Sequence, residues 1–173
     1  HSEKGEMEGE VLYNFTNKGS ELLRFSTNEG LKIKSIKVND KEITYKEHKR
    51  ENIIEIPIPN VEEIEVVISY KGKIKTGKYA VGKGMPGYIS KDSIYLLENS
   101  NWIFKPFVKN GDSISISGYY RAADYLTMVV PGVLLSMEIK DGMKKWMFAY
   151  ESHTADIAAF AGKYIKSQIV FEN

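Results

Sequence analysis

The chain offers few side chains of the types that do chemistry, and none in a spacing that chemistry demands. It has three histidines, His1, His48 and His153, each isolated. No H-E-x-x-H and no other paired-histidine spacing occurs, so a zinc site built by this chain alone is not expected. His153 stands near Glu151 and Asp156, where a carboxylate could orient it; a surface or capping histidine is the plainer reading. The count of zero cysteines removes disulfide frameworks, thiolate zinc sites, iron–sulfur ligation and cysteine nucleophiles together. No G-x-S-x-G elbow is present, and Ser117-Gly118 reads as strand-end punctuation. A Ser/His/Asp set converging only in space would leave no local mark.

Other chemistries are as thinly marked. No Walker A or G-x-G-x-x-G pattern occurs. Lys73, Lys75, Lys78 and Lys83 could meet an anion around Gly82, Gly84 and Gly87, but a solvated hairpin explains them as well. Glu62, Glu63 and Glu65 read as face charges rather than the paired carboxylates of a glycosidase, whose separation is spatial. Tyr119, Tyr120 and Tyr125 could stack on a sugar, with core and rim packing as the alternative. Asn14-Phe15-Thr16 is a glycosylation sequon, which matters only in a eukaryotic secretory setting.

The elements that would position these residues are β-strands. The 173 residues suit one domain, and 42% apolar with 27% charged residues is a globular composition. Twenty-four basic against 23 acidic residues give +1, which argues against a general polyanion binder and leaves nucleic acid out of the expected partners. The most apolar stretch, 128–137, is broken by Pro131 and Gly132, so no membrane contact by this domain is expected. HSEKGEME is not a signal peptide. Residues 1–8 are read as a disordered tail or cloning remnant, and 9–173 as a single domain. The abrupt end after a strand at Ser167–Phe171 suggests a piece of a longer polypeptide.

Apolar residues alternate with period two along most of the chain. Val11, Tyr13 and Phe15 mark one strand, and Ile64, Val66, Ile68 and Tyr70 another, closed by Gly72. Leu31 and Ile33 slip phase before Ile36 and Val38, as a β-bulge would impose. Asn39-Asp40 predicts a tight turn into Ile43-Thr44-Tyr45. Ile53, Ile54 and Ile56 run into Pro57 and Pro59, which fits an edge or a strand end. Further strands are expected at 93–97, 113–117, 126–130, 134–139 and 145–150. Helix signals are confined to one turn at 119–125 and a short run at 155–161. The fold class is therefore all-β, an antiparallel β-sandwich with little helix.

Four segments, taken in order, resemble the N-terminal β domain of M1-family zinc aminopeptidases. They are Ile68-Ser69-Tyr70-Lys71-Gly72; Gly87-Tyr88-Ile89-Ser90 through Tyr95-Leu96-Leu97 to Trp102-Ile103-Phe104-Lys105-Pro106; Thr127-Met128-Val129-Val130-Pro131-Gly132; and Lys145-Trp146-Met147-Phe148 with Ala158-Ala159-Phe160-Ala161-Gly162-Lys163-Tyr164. Phe107 and Val108 follow the proline where soluble members carry an acidic residue, which is closer to members fused to bacterial membrane permeases. The resemblance implies a saddle-shaped sandwich that precedes a thermolysin-like catalytic domain. The zinc and the H-E-x-x-H and G-x-M-E-N motifs belong to that second domain, and neither motif occurs here. It also implies a non-catalytic role, shaping the substrate cleft and docking the catalytic domain of the same polypeptide, with peptide substrate reached through the parent. The location stays open between an extracytoplasmic domain of a bacterial membrane-bound protein and the cytoplasm.

The family's first domain lends its active site a residue, usually Gln, whose position matches Ser93 here; serine weakens that assignment. The face meeting the catalytic domain should be apolar and exposed in isolation, with Tyr95, Trp102, Phe104 and Phe107 as candidates. The alternative for these four is that they fill the core. Two other functions stay open: a free-standing carbohydrate- or protein-binding sandwich relying on Tyr119 and Tyr120, and a small hydrolase relying on His153.

Overall fold

The computed structural model describes residues 6–74, 87–107, 114–152 and 157–164. Three antiparallel sheets carry the chain. The largest has the strand order β13-β14-β11-β1-β7-β3-β4, with β1 (Glu6–Thr16), β3 (Leu31–Val38), β4 (Lys41–Glu42), β7 (Glu63–Lys73), β11 (Ile114–Ala123), β13 (Val133–Lys140) and β14 (Met143–Ser152). A second has the order β10-β2-β6-β5, from β2 (Leu22–Ser26), β5 (Lys46–His48), β6 (Ile53–Pro57) and β10 (Lys105–Pro106). The third has the order β12-β15-β9-β8, from β8 (Gly87–Ile89), β9 (Ile94–Leu96), β12 (Thr127–Val129) and β15 (Ala159–Gly162). One 3-10 turn, Glu98–Ser100, is the helical element among the described residues. The all-β antiparallel expectation holds.

Register explains the core. Directly paired residues share a face, so Val11 opposite Ile68 and Gly118, and Tyr13 opposite Val66 and Ile116, put one apolar row across the middle of the large sheet. Both small sheets pack on that face: Phe25, Ile54 and Ile56 from the second, Leu96 and Ala159 from the third. Each fully buried aliphatic side chain there stabilises the fold by about 1.5–3 kcal/mol before ordering costs. A second cluster (Ala122, Leu126, Trp146, Phe148, Ala161) continues the core between β11–β14 and the third sheet.

Local signals land where the sequence put them in several places. The phase slip is a bulge in β3 between Ile33 and Ser35 against β7. Asn39 and Asp40 turn the chain with φ of 48° and 63°, the left-handed pair a type I′ hairpin requires. The returning strand is only Lys41–Glu42, so Tyr45 is left exposed outside it. Pro57 ends β6, which lies inside its sheet. Gly72 does not close β7: the strand runs to Lys73, and the backbone of Gly30 comes so near that a Cβ on Gly72 would stand 2.0 Å from its carbonyl oxygen. Hence only glycine fits at that position.

Three expectations are corrected. The strand β1 begins at Glu6, and residues 6–8 pair with 71–73, so the tail does not extend to residue 8. The turn of helix at 119–125 is instead the continuation of β11 to Ala123, because Ile114, Ile116, Tyr120 and Ala122 keep period two along β14. The helix-forming run at 155–161 ends in a strand, β15: Ala159 and Ala161 are small enough to lie buried against the core while Phe160 points the other way, and pairing with β9 and β12 overrides propensity. The expected strand at 167–171, His153, and Lys75, Lys78 and Lys83 lie outside the described residues.

Candidate functional site

The third sheet is built from three- and four-residue strands whose side chains alternate between core and surface. Ile94, Leu96, Ala159 and Ala161 face inward. The intervening residues face outward, and the register lines them up: Tyr88 opposite Tyr95, Tyr95 opposite Phe160, Phe160 opposite Val129. The result is an apolar ladder across all four strands. Tyr88 and Tyr95 stack, with centroids 5.9 Å apart and planes at 18°; Phe160 meets Tyr95 edge-on at 5.2 Å. Tyr88 and Val129 at the two ends are 43% and 51% exposed. Gly162 completes the surface, because its bare Cα lets the Tyr164 ring lie over it; a Cβ there would press on that ring at 3.1 Å.

Polar groups frame the ladder. Ser90 and Ser93 close the β8–β9 turn, with Ser90 N–H donating to the Ser93 carbonyl at 2.8 Å and Ser93 N–H to Ser90 Oγ at 3.1 Å. Ser93 Oγ donates to the Tyr88 hydroxyl at 3.3 Å. On the other side, Lys163 pairs with Asp92 at 2.9 Å and lies 5.2 Å from the Tyr125 ring centroid. The Lys163 hydrogen bond holds the Asp92 carboxyl below its usual range, and the same bond raises the lysine. Both groups are solvent-exposed, so this pair orients more than it stabilises. Tyr125 donates its hydroxyl to the Lys91 carbonyl at 3.0 Å.

The four interface candidates do not come together. Tyr95 lies in the ladder. Phe107 is 56% exposed, but beyond β10, at the edge of the second sheet. Trp102 and Phe104 are core residues, which corrects the expectation that they form an exposed patch. Trp102 donates Nε1–H to the Ile157 carbonyl at 2.7 Å; Phe104 packs on Tyr70 at 5.2 Å, and its carbonyl accepts from the buried Tyr13 hydroxyl. Both anchor an irregular segment that has no strand ladder to satisfy its backbone. Sequence reasoning missed Tyr88 and Phe160 as surface partners of Tyr95, although both stand inside quoted motifs.

The tyrosine trio for sugar stacking is also dispersed. Tyr119 lies on the outer face of β11 with Lys145 Nζ 3.9 Å from its centroid. Tyr120 turns inward onto Phe148 and Trp102, where burial pushes its hydroxyl up to about 12. Tyr125 sits at the turn beyond the strand. Among the described residues, no group of three or more His, Cys, Asp or Glu is placed to hold a metal ion. His48 instead bonds Glu55 at 2.8 Å, beside Arg24 on the second sheet. An open hollow of about 400 Å³ lined by Arg121, Glu138, Lys140, Asp141, Met143 and Lys145 carries mixed charge and no histidine, serine or cysteine. Among the described residues, no helix is long and apolar enough to cross a membrane.

No protein-family model and no curated protein sequence matches this chain. Solved structures do. An M1 zinc metallopeptidase from Deinococcus radiodurans superposes with a TM-score of 0.70 at 11% identity, over 91% of this chain and 38% of that one. A mutant of the Deinococcus enzyme bound to a Tyr-Ser-Ala substrate gives 0.73 at 12% identity, over 93% and 39%. A two-domain M1 zinc metallopeptidase mutant bound to L-arginine gives 0.70 at 11%, over 91% and 38%. At such identity the likeness shows the fold. The chain thus spans less than two-fifths of the length of the solved chains it matches.

Proposed function

We propose that this chain is the N-terminal, non-catalytic β domain of an M1-type metallopeptidase. The observation that carries the reading is the fold likeness over more than nine-tenths of this chain to a minor part of two-domain M1 zinc metallopeptidases. The four motifs in order support it independently. On this reading the zinc, the general base and the grip on the substrate amino terminus belong to the rest of the polypeptide, and the parent is a zinc aminopeptidase-like hydrolase of peptides. The chain by itself hydrolyses nothing.

The ladder Tyr88–Tyr95–Phe160–Val129 is the docking face we assign to the catalytic domain. It offers apolar area, a rim of hydroxyls and an ion pair, which is the makeup of an interface between domains of one chain. Ser93, tied to Tyr88, would stand at the rim where the cleft opens, positioning the Tyr88 ring rather than gripping substrate. The relation to permease-fused members, and with it a bacterial membrane-bound parent with this domain outside the cytoplasm, rests on Phe107 and Val108. A carbohydrate-binding role is less favoured. Tyr119 points outward and Tyr120 inward, so the two rings that would stack on a sugar do not share a face.

Reading the source gene beyond the codon for Asn173 tests the proposal. A continuous frame encoding H-E-x-x-H and a downstream glutamate is the expected result. A continuous frame without a zinc motif, or a stop directly after Asn173, would overturn it. Chelator-sensitive hydrolysis of aminoacyl anilides by the pure chain would contradict the non-catalytic role.

A further inference from the structure

The sheet edges differ sharply in how they are protected. On the large sheet, β4 is two charged residues, Lys41 and Glu42. The second sheet ends in Lys105–Pro106 and in Lys46–His48. The third ends in two three-residue strands, β8 and β12. Short strands, charges and proline are the usual devices that stop edges from pairing. β13 is guarded less fully, by Glu138, Lys140 and one bulge between Leu134 and Ser136. It is eight residues long, VLLSMEIK, every residue is exposed, and Val133, Leu134, Leu135, Met137 and Ile139 are 49–65% exposed.

The inner row of β13 also continues the core. Leu134 lies opposite Phe148 and Met137 opposite Trp146, both members of the second buried cluster. The apolar row therefore runs to the edge of the sheet, and no strand among the described residues continues it. What fits it is an antiparallel strand with an apolar inner row and a free edge of its own.

We propose that this partner is a second copy of the chain, paired β13 to β13 about a twofold axis at Met137. In that register Met137 faces itself, and Ser136 faces Glu138. Leu134 faces Ile139, with Leu135 taken up by the bulge already present between Leu134 and Ser136. The inner row is then apolar on both sides of the axis, and no like charges stand directly opposite. An axis at Glu138 would oppose two glutamates. An axis at Ile139 would run the strand into the turn at Asp141 and Gly142 after a few residues. Odd shifts would send the apolar row to the wrong face. Because each copy spends the one long edge found among its described residues, the assembly closes at two. A net charge of +1 opposes this little. The interface is one pair of eight-residue strands, at the small end for a specific interface, so the association is expected to be weak.

The test is sedimentation velocity from about 1 to about 200 µM, with two kinds of variant. Met137 is exposed, so Met137→Lys should leave the thermal midpoint of the monomer unchanged while weakening dimerisation at least about tenfold, since two ammonium groups then face each other. Met137→Cys places a thiol opposite its own copy, where antiparallel partners stand about 4.5–5.5 Å apart at Cα, within disulfide reach. The chain has no other cysteine, so a cross-linked dimer reports that register alone. Ser136→Cys, which faces Glu138, should cross-link much more slowly. A wild-type chain that stays monomeric throughout, a dimer indifferent to Met137→Lys, or equal cross-linking at 136 and 137 would each overturn the proposal.

Discussion

Tyr70 and Tyr95 both stand on strands, and each packs against another ring, yet they serve opposite ends. Tyr70 is 2% exposed, enclosed between the large sheet and Phe104, and burial raises its hydroxyl far above the usual tyrosine range. Nearby, Tyr13 gives its hydroxyl proton to a backbone carbonyl. Tyr95 belongs to a row whose far ends are open to solvent. The inner rings lie in the closed core of the fold. The outer rings leave a face on which something else can close. A protein rarely keeps aligned aromatics at a surface without a partner for them.

Breaking the inner set should cost most. Phe104→Ala is expected to lose about 3–5 kcal/mol, because the ring is fully enclosed and its neighbours are tied to strands. Calorimetry checks this, and a loss below about 1 kcal/mol would mean the core collapses around the gap. Tyr13→Phe should come next, at about 1–3 kcal/mol, since it strands the Phe104 carbonyl in the core. Chemical denaturation of the pair of variants ranks them.

A smaller, pH-dependent effect sharpens the contrast from the second sheet. The hydrogen bond from His48 and then those from Arg24 hold the Glu55 carboxyl below its ordinary value of 4.5. A depressed folded-state value stabilises above the unfolded value and is lost as pH falls through the folded one. Stability should therefore drop below about pH 4.5, and Glu55→Gln should flatten that part of the profile. An unchanged acid limb in the variant would show that the triad contributes nothing.

Least of all should follow from the ladder. Tyr88→Ala should stay within about 0.5 kcal/mol of the parent chain, as an exposed ring does. A double-mutant cycle of Tyr88 and Tyr95 should give a coupling of about 0.2–1 kcal/mol. A much larger value would assign the ladder to the stability of this domain and remove the reason to see it as a docking face.

The long strands could be read because their pattern is long: four inward residues at period two in β7, and a bulge in β3 betrayed by one phase slip. The ladder could not. Its strands are three or four residues, too short to establish a period, and the residues it aligns lie up to 72 positions apart. The segment Trp102 to Phe107 has no period at all, so nothing local separates the buried Trp102 and Phe104 from the exposed Phe107. Only contacts with β15's approach and with Tyr13 and Tyr70 decide it. The dispersal of Tyr119 and Tyr120 did follow from local rules, once the segment is taken as strand: successive residues point to opposite faces.

The most direct measurement is hydroxyl-radical footprinting of Tyr88, Tyr95 and Phe160 in the isolated chain and in the longer, two-domain polypeptide that the proposed function calls for. The account predicts ready labelling in the isolated chain and at least about tenfold slower labelling once the second domain is attached, as a desolvated interface requires. Equal labelling in both would contradict the assignment of this face as the seat of the catalytic domain.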